Sequence, residues 1–169
     1  VKDLFPDKTL KIEHSVSKGL YCEIEGWEGH PEFDDIYRIR NRMQEIVDKD
    51  IPFRRTEIPT EEAIEVFKMN DYLEKAKLFK TRPKMYTSIY YLDELEDYFY
   101  GYLVPSTGYL QVFDLVKYYD GMLLMLPKRE KPDELEDIVL QEKMFEIFRE
   151  YKSWGKILGI GTIGSINQV

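Results

Sequence analysis

Residues 10–26, LKIEHSVSKGLYCEIEG, carry strand character on either side of a polar centre. In Gly19–Glu25, Leu20, Cys22 and Ile24 alternate with Tyr21 and Glu23, the period-two pattern of a strand with one face buried. A shorter strand is expected around Leu10–Glu13. Upstream, residues 1–5 read as the last turn of a helix stopped by Pro6. Downstream, Pro31 opens a helix expected to run to about Lys49. Its apolar residues Ile36, Ile39, Met43, Ile46 and Val47 keep the three-and-four spacing of one buried stripe.

The rest of the chain continues this mixture. Pro52 ends the turn after the helix, and Phe53–Ile58 reads as a strand. Thr60 is expected to cap the next helix, with Glu61 and Glu62 at the positive end of its dipole and Ala63, Ile64, Val66 and Phe67 as its apolar residues. Asn70-Asp71 breaks that helix, and Asp71 is expected to cap a short one reaching Phe79. Met85–Leu92 alternates as a strand, with Tyr86, Ser88 and Tyr90 on one face and Thr87, Ile89 and Tyr91 on the other. A hairpin is expected from Tyr109–Tyr119 through an Asp120-Gly121 turn to Met122–Leu126. A last helix is expected over 133–155, with Leu135, Ile138, Val139, Phe145 and Phe148 inward, before a Gly-rich linker. The fold class expected is α+β, an antiparallel sheet packed against helices.

At 169 residues the chain suits one domain with a real core. Apolar residues at 43% and charged residues at 33% are the balance of a globular domain. No apolar run approaches the roughly 20 residues of a membrane span, and VKDLFPD lacks the apolar core of a signal peptide. A start at Val1, inside a helix end, leads us to expect further sequence upstream. A net charge of −8 repels a phosphate backbone unless a local basic patch overrides it. The nearest such patch, Arg38, Arg40, Arg42, Arg54 and Arg55, is interspersed with Glu32, Asp34, Asp35, Glu45 and Asp48, which makes a mixed solvated face. Cys22 is the one cysteine, so no internal disulfide forms and a reducing compartment is expected.

Three motifs compete for a chemical role. Gly159-Ile160-Gly161-Thr162-Ile163-Gly164 fits G-x-G-x-x-G, yet a dinucleotide site needs a strand before it and a helix after it. A long helix precedes this one, so it reads as linker. His14, Cys22 and His30 match no closed zinc spacing, and alternation puts Cys22 on the apolar strand face as a small core residue. A Cys–His nucleophile pair fails on the same grounds. Tyr86, Tyr90, Tyr91, Tyr98, Tyr100, Tyr102 and Tyr109 could stack on bases, but they lack interleaved basic residues, and packing on a sheet is the expectation.

Read in order, three stretches resemble the second N-terminal, editing-type domain of threonyl-tRNA synthetases, shared with alanyl-tRNA synthetase relatives. They are LFPDKTLKIEHSVSKGLYCEIEG (4–26), DDIYRIRNRMQEIVDKDIPFRRTEIPTEEAIEVFK (34–68), and DYFYGYLVPSTGYLQVFDL (97–115). The second carries the D-x-P-x-x-R turn at Asp50–Arg55 and EAIE-x-F at Glu62–Phe67. In the third, the resemblance implies a former metal-type site. Phe99 stands at the family's cysteine position and Leu103 at its later histidine position, ahead of the P-S-T-G loop that holds Ser106 and Thr107. The helix carrying the family's other two histidines aligns before Val1. Phenylalanine and leucine bind no metal and activate no water. The expectation is therefore a degenerate site (Phe99, Leu103, Ser106, Thr107), dry and apolar at the first two positions, with no catalytic, metal or cofactor residues in this chain.

The chain also resembles the region before the phosphate-loop domain of bacterial uridine kinase-like proteins. That likeness implies a non-catalytic accessory or regulatory domain at 1–155 and a linker at 156–169. The linker would lead to a C-terminal domain that transfers phosphate from ATP, with Mg, to a nucleoside such as uridine. Its partners would be that kinase domain and a nucleoside or tRNA ligand, with no DNA and no membrane, in the cytoplasm. The alternatives are a trans-editing aminoacyl-tRNA deacylase, needing His14, His30 or Cys22 near Phe99, and a tRNA-binding module that uses Arg38 and Arg42.

Overall fold

The computed structural model describes residues 1–70, 72–82 and 84–158, which form two compact units. The first joins residues 1–51 to 106–141, and the second joins 52–105 to 142–158.

The first unit is a four-stranded antiparallel sheet carrying one long helix. β1 (Thr9–Val16) pairs with β2 (Gly19–Glu25), and helix α1 (Phe33–Asp48) follows. Ser17 and Lys18 link the two strands with φ of 48° and 57°, the left-handed pair that a two-residue type I′ hairpin requires. β1 runs three residues beyond the expected strand, because a register shift between Ile12 and His14 interrupts the alternation before pairing resumes at His14↔Tyr21. Two later strands complete the order β1-β2-β7-β6, where β6 is Asp114–Tyr118 and β7 is Gly121–Met125. The residues before β6 are not strand. Thr107–Tyr109 is a single 3₁₀ turn.

Helix α1 buries Ile36, Ile39 and Val47, three of its five stripe residues. Ile36 and Ile39 join Cys22, Ile24, Leu115 and Met122 in one core, flanked by Leu4, Phe5, Trp27 and Met43. The helix is started by Glu32, whose amide donates to Asp35 Oδ2 at 3.1 Å. On the opposite sheet face, Tyr21, Tyr118, Leu123 and Met125 are also buried.

The chain over 127–141 crosses that second face, and here the expected helix is absent. Glu136 N–H donates to the Leu126 carbonyl, Leu135 bridges Pro127, and Val139 N–H donates to Ser17 Oγ. Its backbone groups are committed to the sheet, so they cannot close a helical ladder. Ile138 and Val139 are exposed, and helix begins only at Glu142.

The second unit has a three-stranded antiparallel sheet, β3 (Arg54–Pro59), β4 (Tyr86–Leu92) and β5 (Leu95–Asp97), in that order. Helices α2 (Thr60–Met69) and α3 (Leu73–Lys80) pack on the Thr87–Ile89–Tyr91 face. Ala63, Phe67, Ala76, Phe79 and Ile89 form its core. Pro59, not Thr60, occupies the N-cap of α2. Thr60 is buried within the first turn and shares a 2.9 Å hydroxyl bond with Thr87. Helix α4 (Glu142–Leu158) buries Phe145 and passes three residues beyond its expected end. The expected cap Asp71, the Gly159–Gly164 motif and most of the linker lie outside the described residues.

Candidate functional site: an aromatic and basic groove

The free face of the β3–β4–β5 sheet builds a groove of about 260 Å³. Register places Arg55 opposite Tyr90 and Glu57 opposite Ser88. Arg55 Nη2 donates to Glu57 Oε1 at 2.7 Å and to Ser88 Oγ at 2.6 Å. The same guanidinium lies 5.2 Å from the centre of the Tyr102 ring, within cation–π range. Tyr90 is buried and donates its hydroxyl to the Gly101 carbonyl at 2.7 Å. Gly101 has φ +94°, a conformation glycine adopts without strain, and this bond anchors the loop after β5 to the sheet.

That loop raises aromatic rings beside cations. Tyr100 is 89% exposed, Tyr102 87% and Phe99 44%. Phe99 meets Tyr90 edge-to-face at a centroid distance of 6.0 Å. Arg82 donates to the Tyr98 hydroxyl at 3.0 Å and stacks on Phe79 and Tyr98. Arg82, Lys84 and Tyr86 also line the groove. Among the described residues, three cations and one carboxylate give it a positive local balance within a chain of net charge −8.

The expected tyrosine packing is therefore only half right. Tyr90 is buried and Tyr91 and Tyr98 are partly covered, but Tyr86, Tyr100, Tyr102 and Tyr109 face outward. The interleaved basic residues missing from the local sequence come instead from β3 and from the stretch after α3. The groove is not apolar around Phe99, because Arg55, Glu57, Arg82 and Lys84 line it.

The four residues of the expected degenerate site fall in different surroundings. Phe99 lines the groove, and Leu103 is half-buried just beyond it in the chain. Ser106 and Thr107 belong to the first unit, where they bind the turn after α1. Ser106 Oγ and the Gly108 amide both donate to Asp50 Oδ1. Thr107 Oγ1 donates to the Ile46 carbonyl at 2.7 Å.

The deacylase candidates are likewise placed. Cys22 is buried in the first unit's core, its thiol pushed up to about 11 by burial. His14 rests 5.2 Å from the Tyr21 ring, and His30 Nε2 is 3.6 Å from Asp120. Among the described residues, no three His, Cys, Asp or Glu side chains group as metal ligands. Arg42 pairs with Asp3 and Glu45, each at 2.8 Å, and Arg38 lies over Phe5. Both arginines are thus occupied by neighbours in their own unit. Among the described residues, no helix is long and apolar enough to cross a membrane.

No protein-family model matches the chain. It is 36% identical over 115 residues to a threonine–tRNA ligase of Streptococcus pyogenes serotype M3, an overlap covering 68% of this chain and 18% of the ligase. The ligases of S. pyogenes serotype M5 and S. agalactiae serotype Ia match to the same extent. The chain thus spans under a fifth of the length of these curated relatives. It is homologous to a region of threonine–tRNA ligase, and its antiparallel sheets packed against helices fit the editing-domain-like α+β fold.

Proposed function

We propose, starting from this homology to a region of threonine–tRNA ligase, that the chain is a tRNA-related accessory domain that binds RNA without cleaving it. The observation that carries the reading is the pairing of the exposed rings of Tyr100 and Tyr102 with Arg55, Arg82 and Lys84 in one groove. Cations neutralise phosphates and exposed rings stack on bases, which together form the usual equipment for holding a nucleic-acid strand. Among the described residues, the lining offers no imidazole or thiol, and its one carboxylate, Glu57, is engaged by Arg55. A Ser–His or Cys–His pair for ester cleavage is therefore not assembled among these residues.

Anisotropy of a labelled tRNA titrated with the chain tests this reading. Binding with a dissociation constant of about 10⁻⁶–10⁻⁴ M at physiological salt, tightening as salt falls, supports it. Absence of binding at low ionic strength overturns it, and aminoacyl-tRNA cleavage above a heat-killed control overturns the non-catalytic part. The finer expectation, an accessory domain beside a nucleoside kinase in the cytoplasm, concerns a longer protein. It gains nothing from the groove or from the named ligases, and ATP-dependent phosphorylation of uridine by that longer protein is its test.

A further inference from the structure

Resting on the RNA-binding reading, we infer that the groove is built to stack an unpaired nucleobase on Tyr102, and that Glu57 is the positioning residue that readies it. The Arg55 guanidinium carbon lies over one face of the Tyr102 ring, 5.2 Å from its centre, and the residue is 87% exposed. A ring backed by a cation and open on its other side is a platform for a flat π-system. A base inside a duplex has both faces covered, so only an unpaired base offers one.

Arg55 is a long, flexible side chain that does not hold this place unaided. Glu57 and Ser88 each take a hydrogen bond from its Nη2, at 2.7 Å and 2.6 Å. Both are set by strand register, with Glu57 directly opposite Ser88 and Arg55 two pairs along on the same face, opposite Tyr90. The Tyr90 hydroxyl fixes the loop carrying Tyr102 through Gly101. A carboxylate in a groove for phosphates is otherwise repulsive, and orienting Arg55 gives it a use. Ordering the platform before binding removes an entropic cost from the binding step. Ligand recognition by stacking is tolerant of sequence, because every base presents a π-face.

The test titrates the chain with a fluorescein-labelled homopolymer of uridylate and with a duplex RNA of equal length. Single strand is expected to bind at least about tenfold tighter than duplex. Tyr102→Ala is expected to weaken single-strand binding by about five- to a hundredfold, while Tyr102→Phe retains it within about twofold. Glu57→Ala, which removes the acceptor together with the charge, separates two readings by sign. Removing a mere repulsive charge tightens binding, whereas removing the group that positions Arg55 weakens it, and Ser88→Ala weakens it in the same direction.

Aromatic NMR supplies a readout that altered folding does not imitate. The Tyr102 ring protons of the wild-type chain shift upfield on adding the uridylate strand, and unchanged amide spectra of the free variants confirm their fold. Tighter binding by Glu57→Ala, or an unaffected Tyr102→Ala, overturns the inference while leaving RNA binding intact. Failure of the wild-type chain to bind either RNA removes the underlying reading as well.

Discussion

Thr107 and Ile51 exchange two hydrogen bonds: the Thr107 amide donates to the Ile51 carbonyl at 2.9 Å, and the Ile51 amide donates to Thr107 Oγ1 at 2.9 Å. The Thr107 hydroxyl then donates onward to Ile46, in the last turn of α1. One buried side chain therefore satisfies both a helix-end carbonyl and the amide that follows the helix. Thr107→Val keeps the shape and removes both side-chain bonds, and a loss of about 2 kcal/mol in chemical denaturation is expected. Thr107→Ser, which keeps the hydroxyl, should retain most of that stability. A Val variant as stable as wild type would refute this structural role.

Gly121 opens β7 at a point where the sheet leaves no room for a side chain. A Cβ there would sit 2.3 Å from the Cys22 carbonyl oxygen and 2.9 Å from the Tyr21 hydroxyl. The nearest obstacle is backbone in the neighbouring strand, which cannot rotate away. Gly121→Ala is expected to cost more than about 3 kcal/mol, or to prevent folding. Gly29→Ala is a useful comparison, because φ is +77° there and nothing lies near the added Cβ. It should cost only about 1 kcal/mol of backbone strain, as thermal melts of the two variants will show.

Gly121 also shows what sequence reading reaches. Asp-Gly between apolar runs marked a hairpin at the right place, but the turn uses Tyr119, at φ 47°, and Asp120. The glycine is needed for close approach between strands, a long-range constraint that local pattern does not carry. The stripe of α1 and the alternation of β2 were legible because each depends on its own period. The Ser17–Lys18 turn was not, since neither residue is a usual left-handed one. Residues 133–141 have helical spacing, and tertiary hydrogen bonds that their amides donate to Ser17 and Leu126 override it. The groove was hidden for a similar reason: Arg55, Arg82 and Tyr102 meet only once β3, β4 and the loop after β5 have paired.

Burial sets the pH behaviour of the first unit. The Cys22 thiol rises from its ordinary 9.0 to about 11, chiefly because burial disfavours the thiolate. The Tyr21 phenol is pushed up by burial as well, and further by the Glu23 and Asp120 carboxylates. Both folded-state values lie above the unfolded ones, so the fold favours the protonated, neutral forms. The contribution of Cys22 to stability is complete below about pH 9 and is lost as pH rises through about 11, and that of Tyr21 is lost at still higher pH. Native Cys22 should resist a thiol reagent at pH 8 and react at once in denaturant. Rapid labelling of the folded chain would contradict this burial.

Salt dependence locates the cations that meet RNA. Each phosphate neutralised on a single strand contributes about −0.7 to the slope of log K against log salt. Arg82 and Lys84 line the groove, and Arg82 is held there by the Tyr98 hydroxyl and two aromatic rings. Arg82→Gln and Lys84→Gln should each make the slope shallower by about 0.7, with little change in the ratio of single-strand to duplex affinity. Arg42 provides the contrast, since Glu45 and Asp3 already neutralise it and hold its guanidinium more basic than usual. Arg42→Gln should leave the slope unchanged. A slope that responds to Arg42 and ignores Arg82 would move the RNA interface out of this groove and onto α1.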